Sequence, residues 1–294
     1  PWVALTAAAV FAADPVSGTP VNYVTARDLL LMQAFMTGSL LVYVRMRGSG
    51  GDTPGGWVAV LALYVLALMS KTGVVVLSGL VAAYEVTVRR ESPFSIGPWL
   101  RAAPFLFLAA AFFAYVSRVL HHSEIDVVRS NEYSSLAYGA TQLKLHLFHY
   151  MRNFVWPFPI RQAPEVALIG PLHPAAWAGG AFVLSTLIAA WFARRVMPVV
   201  TFCVLAYWAL LLPEASVFPL WALAADYRPY AASPFLYLSV AAVTALCVSS
   251  HRTLRVAAIL AVTWSAATSV YLNTTWRTER SLWRHSVDKG GSAL

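Results

Sequence analysis

Asp14, Arg27, Asp28, Lys71, Asp226 and Arg228 are ionisable residues set at the ends of long apolar runs. A charge at membrane depth is costly, so such residues usually mark a site or a pathway. Asp14 precedes Pro15 and opens a short polar stretch that Arg27-Asp28 closes. A carboxylate placed there could act as a general base or hold a metal. The alternative is a helix-end Asp before a turn proline, with Asp28 as a helix cap. Lys71, flanked by Ser70 and Thr72, lies between two apolar stretches. Its compact ammonium suits a phosphate, and the alternative is a lysine that snorkels to the interface. Asp226-Tyr227-Arg228-Pro229-Tyr230 stands just before another apolar run. Its arginine could grip a diphosphate or a lipid headgroup, or simply form an interfacial ion pair.

The histidines carry a weaker signal. His121-His122 and the pair His146, His149 raise the question of a metal, because i, i+3 spacing puts two imidazoles on one helix face. They lack a carboxylate at the spacing of a His-Glu-x-x-His site. Cys203 and Cys247 both sit inside apolar runs and read as small buried hydrophobes.

The elements that must position these residues are membrane-spanning helices. Apolar residues make up 59% of the chain and charged ones 12%, about half of what a soluble domain carries. A surface this poor in charge must face lipid over much of its area. Apolar segments fall at about 1–13, 28–45, 57–70, 73–88, 99–117, 174–193, 197–212, 233–249 and 254–272. The expected fold is an all-α polytopic membrane protein with about nine transmembrane helices. Segments 57–70 and 73–88 are expected to be two short helices turning at Lys71, with one long kinked helix as the rival. The net charge of +8 is concentrated in short pairs: Arg45 and Arg47, Arg89 and Arg90, Arg194 and Arg195, Arg252 and Arg255. That is the pattern of cytoplasmic loops, not of a nucleic-acid surface. With these pairs inside, the segments alternate in direction. Residues 14–27, 118–173, 213–232 and the tail after 272 then lie outside, with Asp14, Lys71 and Asp226. In the long outer loop, Gln142 to Pro157 is amphipathic, with Leu145, Phe148 and Arg152 at helical spacing. An interfacial helix is expected there.

Several segments together resemble a known family. Phe11-Ala12-Ala13-Asp14-Pro15-Val16, continued by Tyr23-Val24-Thr25-Ala26-Arg27-Asp28-Leu29-Leu30, resembles a motif reading roughly F-A-x-H-P-V…Y-V-x-G-R-x-x-L-L. Leu68-Met69-Ser70-Lys71-Thr72 with Tyr84-Glu85 resembles L-x-S-K-E…Y-E. Tyr150-Met151-Arg152 with Trp156-Pro157 resembles the end of the outer loop, and Ala225-Asp226-Tyr227-Arg228-Pro229-Tyr230 resembles A-E-H-R-x-Y. Trp276-Arg277 with Ser281-Leu282-Trp283 resembles a link into helical repeats. The order matches the tetratricopeptide-bearing O-mannosyltransferase-like group of the C-type glycosyltransferase superfamily. Departures are Asp14 for the family's His, Thr19 and Thr72 for two of its Glu residues, Asp226 for Glu and Tyr227 for His.

The resemblance implies a transmembrane glycosyltransferase-like domain over 1–272 and an extracytoplasmic link over 273–294 leading to tetratricopeptide repeats. It implies a polyprenyl-phosphate sugar as donor and a protein or glycan hydroxyl as acceptor. Lys71, Arg228 and Arg27 would hold the donor phosphate, Asp226 and Tyr230 would orient the site, and Asp14 would be an accessory acid. The main base is expected upstream of Pro1. A divalent cation would be a further way to stabilise the departing phosphate. Membrane lipid surrounds the domain, protein partners are expected through the repeats, and no nucleic acid is expected. The expected location is a bacterial inner membrane with the site facing the periplasm. The competing expectation is a catalytically degenerate scaffold subunit, motivated by the missing acids at positions 19 and 72.

Overall fold

The computed structural model describes residues 2–23, 26–119, 133–158, 160–161, 164–216, 219–220 and 222–291. His121 and His122, raised above as possible metal ligands, lie outside them. The described residues form helices in the order α1 (Trp2–Ala13), α2 (Pro15–Asn22), α3 (Arg27–Gly48), α4 (Pro54–Ser70), α5 (Leu77–Thr87) and α6 (Ile96–Val119). Then come α7 (Ser135–Leu145), α8 (Arg152–Val155), α9 (Pro174–Ala193), α10 (Pro198–Leu211), α11 (Ser233–Cys247), α12 (His251–Asn273) and α13 (Glu279–Asp288). No strand occurs among the described residues, which hold isolated bridge positions at Pro164, Leu220 and Gly291, the first and last paired with each other.

Local sequence sets the helix starts. Thr53, Ser134 and Ser250 each accept a backbone N–H with the side-chain hydroxyl, and Pro54, Pro174 and Pro198 occupy first-turn positions where no donor is lost. The rotation at Lys71 is abrupt. Its backbone is extended (φ −158°, ψ 135°), ending α4, and a 3-10 turn over Thr72–Val76 leads into α5. The expected break at Lys71 is therefore present, and a single long helix is not.

Four helical stretches are long and apolar enough to cross a bilayer: Arg27–Gly48, Ile96–Val116, Pro174–Ala193 and His251–Arg277. The chain is a membrane protein on this ground. The other apolar helices are shorter: Trp2–Ala13, Pro54–Ser70, Thr72–Thr87, Pro198–Leu211 and Ser233–Cys247. Even 17 residues at about 1.5 Å each fall short of a hydrocarbon core about 30 Å thick. Large apolar side chains stand on the outside of the bundle, among them Phe107, Phe192 and Ile259 at 73%, 77% and 65% exposure. In water such a surface would be an aggregation liability, whereas in lipid it is the ordinary one.

The core is built by α3, α4, α5, α6, α10 and α11 around Met36, Tyr43, Tyr64, Leu80, Phe105 and Cys203. Helices α1 and α12 pack together, and α1 also packs on α11. Polar side chains gather at two ends of this bundle. At the arginine end, Glu85 is fully buried and accepts from Tyr43 (2.6 Å) and Arg47 (2.9 Å), while Arg101 pairs with Glu91 (2.9 Å). Arg90 reaches the carbonyl of Arg195 at the same end. The lysine end holds Asp14, Asp28, Lys71 and Asp226.

The expected interfacial helix over 142–157 differs in one respect. It exists as α7, a π-helical turn over His146–Met151 and α8. Phe148 does lie outside with Arg152, but Leu145 is buried, so the three do not share one face. The wider π turn swings His146, His149 and Tyr150 inward together, against the loop after α10. Helix α7 seats on α9 at Gly179, where a Cβ would fall on the carbonyl oxygen of Leu143.

Candidate functional site

The lysine end is assembled from five stretches far apart in sequence. Lys71 projects from its extended break between two carboxylates, Glu214 at 3.1 Å and Asp28 at 3.6 Å. Burial pulls the ammonium toward the neutral form, but Glu214 and then Asp28 outweigh it, so its pKa lies above the usual lysine value. The three side chains remain open to solvent at 23% for Lys71, 26% for Glu214 and 42% for Asp28. Asp28 is not the expected helix cap, since Ala26 holds that position; from the first turn of α3 it takes the N–H of Leu29 (2.7 Å) on its other oxygen. Tyr227 lies near this group and packs on Tyr23, with ring centres 6.4 Å apart.

Asp226 is a hub of the loop between α10 and α11. One oxygen meets His149 Nε2 and accepts from Asn153 (3.3 Å), and the other accepts the backbone N–H of Arg161 (2.8 Å). It is buried to 1% exposure. With three partners it orients its surroundings and has little capacity left for a ligand. His146 bonds the carbonyl of Ala215 (3.1 Å), and burial lowers its pKa to about 4, so the imidazole is neutral. The two histidines thus serve hydrogen bonds, and among the described residues no group of three His, Cys, Asp or Glu is placed to hold a metal.

Arg228 is placed differently from the expectation of an open phosphate grip. Its guanidinium is buried, donates to the carbonyls of Leu223 (2.9 Å) and Ala222, and lies against the Tyr150 and Tyr138 hydroxyls. The reason is local: a loop of irregular backbone has carbonyls that no helix satisfies, and a guanidinium has the donors to meet several at once. Arg27 is exposed at the first turn of α3. Tyr230 is buried and packs on Phe11, centroids 5.4 Å apart.

Asp14 sits between α1 and α2 with 4% exposure, near the hydroxyl of Tyr237. One of its carboxylate oxygens is buried without a hydrogen-bond partner. Burial pushes its pKa up to about 6, against smaller opposing effects from Tyr237 and backbone N–H groups. It can hold a proton near neutrality, as an accessory acid must.

The structure brings Asp28 and Lys71 together and sets the 226–230 stretch beside both the first loop and the outer helix. Glu214 was not among the expected site residues. The signal was present: it is the sole acid in the run from Val166 to Ala225, where a charge is costly. Arg161, His149 and Asn153 were also missed as partners of Asp226, since no spacing rule links positions some 70 residues apart. Comparisons with family models, with curated proteins and with solved structures gave no match.

Proposed function

We propose that this chain is the membrane domain of a glycosyltransferase that moves a sugar from a polyprenyl-phosphate donor to a protein or glycan hydroxyl. The observation that carries the reading is the convergence at one end of the bundle of the segments around Phe11–Asp28, Lys71 and Asp226–Tyr230, while Tyr84-Glu85 stands at the arginine end. Phe11 meets Tyr230, Tyr23 meets Tyr227, Asp28 meets Lys71, and Asp14 neighbours Tyr237. All nine apolar helices then cross a bacterial inner membrane, the short ones beside thinner or polar-lined regions, with the lysine end facing the periplasm.

The transfer needs few parts. The acceptor oxygen attacks the anomeric carbon as its proton passes to a carboxylate. The bond from that carbon to the phosphate oxygen breaks, and its electron pair stays on the lipid phosphate. Lys71 and Arg27 supply positive charge for that phosphate, Tyr227 and Tyr23 offer rings beside it, and Asp14 is a proton store. Arg228 and Asp226 hold the loop in shape.

A scaffold reading has its own support: Lys71, Asp226 and Arg228 already have protein partners. One experiment separates the two. The full-length protein in proteoliposomes is given radiolabelled polyprenyl-phosphate sugars and an acceptor extract. The enzyme reading expects transfer, reduced at least a hundredfold in Lys71→Ala. No transfer from any donor, with the fold intact, would favour the scaffold.

A further inference from the structure

We infer that Glu214 and Asp28 form an ionic latch on Lys71, which an incoming phosphate must displace to bind. The inference rests on the proposed function only for the class of ligand, a phosphate ester. Its ground is the geometry at the break between α4 and α5. One ammonium faces two carboxylates at 3.1 Å and 3.6 Å, which leaves the cluster with one net negative charge. A phosphate approaching this cluster is repelled unless a carboxylate leaves. All three side chains are partly open to solvent, so the exchange requires no unfolding.

The two carboxylates are not equivalent. Asp28 is anchored by the Leu29 N–H and lies farther from the ammonium. Glu214 sits on the irregular loop after α10 and has the closer contact. Among the described residues no other side chain bonds its carboxylate, although its backbone carbonyl accepts from the Tyr138 hydroxyl (3.0 Å). Glu214 is therefore the arm that swings, and its backbone is the hinge held by Tyr138. Like charges at such range interact by several times the thermal energy even when partly screened. The latch keeps loose anions off the lysine while leaving it accessible to a ligand that brings additional contacts, such as a lipid chain lying along the bundle.

The test is equilibrium binding. The full-length protein in zwitterionic nanodiscs is titrated with polyprenyl monophosphate presented in the bilayer and, separately, with inorganic phosphate in solution. Glu214→Gln, close in shape and without charge, is expected to tighten phosphate binding about tenfold, and Asp28→Asn by a smaller factor. Lys71→Ala is expected to lose it. The same order of variants with both probes means the site reads the phosphate group itself. The order with the lipid probe alone means the chain contributes. Unchanged or weaker binding in both Glu214→Gln and Asp28→Asn would overturn the latch, as would failure of all forms to bind either probe. Binding in the expected order without sugar transfer would sink the enzyme reading and leave the latch standing.

Discussion

The two polar ends of the bundle use the same residue types to different ends. At the arginine end one carboxylate, Glu85, is shared by Tyr43 and Arg47 with Arg101 beside it at 3.7 Å, and it is fully enclosed. Two guanidiniums, Arg47 and Arg101, flank this enclosed carboxylate and take the more open Glu91 and Asp52 as further partners, which suits a buried carboxylate that must be held in its charged form. At the lysine end the carboxylates are the open partners of a single cation. Lys71 is shared by Asp28 and Glu214, all three partly open, and a third acid, the buried Asp14, keeps an unpartnered oxygen. The first arrangement ties α3, α5 and α6 into one unit. The second stores groups that still have an exchange to make. The difference shows that counting charges at a bundle end says less than asking which of them is enclosed and whether water reaches it.

Three perturbations can break or sharpen this contrast. The largest effect is expected from Glu85→Ala, which removes the enclosed partner of Tyr43 and Arg47, leaves the arginines only the more open Glu91 and Asp52, and should cost about 3 kcal/mol. The check is the denaturant midpoint in detergent micelles, and a loss below about 1 kcal/mol would mean the arginine end is as loose as the lysine end. Next is Gly179→Ala, since its methyl group would fall on the Leu143 carbonyl and push α7 off α9. A cost of about 1–3 kcal/mol is expected. Cysteine crosslinking between the two helices should lose efficiency, while contacts at the arginine end stay unchanged.

The smallest effect concerns pH. Asp14 has a folded pKa raised to about 6 from an ordinary 3.8, so the folded state holds its proton more tightly. Its favourable contribution is full below about pH 3.8 and is lost as pH rises through 6. His146 works in the opposite sense: lowered to about 4 from 6.5, it supports the fold above 6.5 and loses that support as pH falls through 4. Asp14→Asn should therefore be more stable than the parent at pH 7.5, by up to about 2 kcal/mol, and near parity at pH 4. Equal pH profiles for both proteins would remove Asp14 from the titrating groups.

Much of the scaffold was legible from residue order. Apolar runs with proline or hydroxyl caps marked the helices, and Lys71 between two such runs marked the break, because a charge there ends burial on both sides. The interior of the site was less legible. The inward turn of Arg228 follows from unsatisfied carbonyls at Ala222 and Leu223, which no side-chain pattern announces. The π turn adds one residue to a helical repeat, so the face assigned to Phe148 by ideal spacing could not be right for Leu145 as well. Glu214 was readable as a lone acid in an apolar stretch, but its pairing with Lys71 spans 143 positions and appears only in space.

Arg161 joins two parts of the lysine end by its two ends. Its N–H is on Asp226, and its guanidinium holds the carbonyls of Lys289 and Gly290 just past α13. His285 adds a contact to the carbonyl of Ile160. In mechanical terms this is a tie rod. A pull along α13 is delivered to Asp226 through one residue instead of being dissipated in a slack linker. Whatever load that helix bears sets the position of the loop that carries Glu214, so traction on the C-terminal side and the grip on Lys71 belong to one linkage.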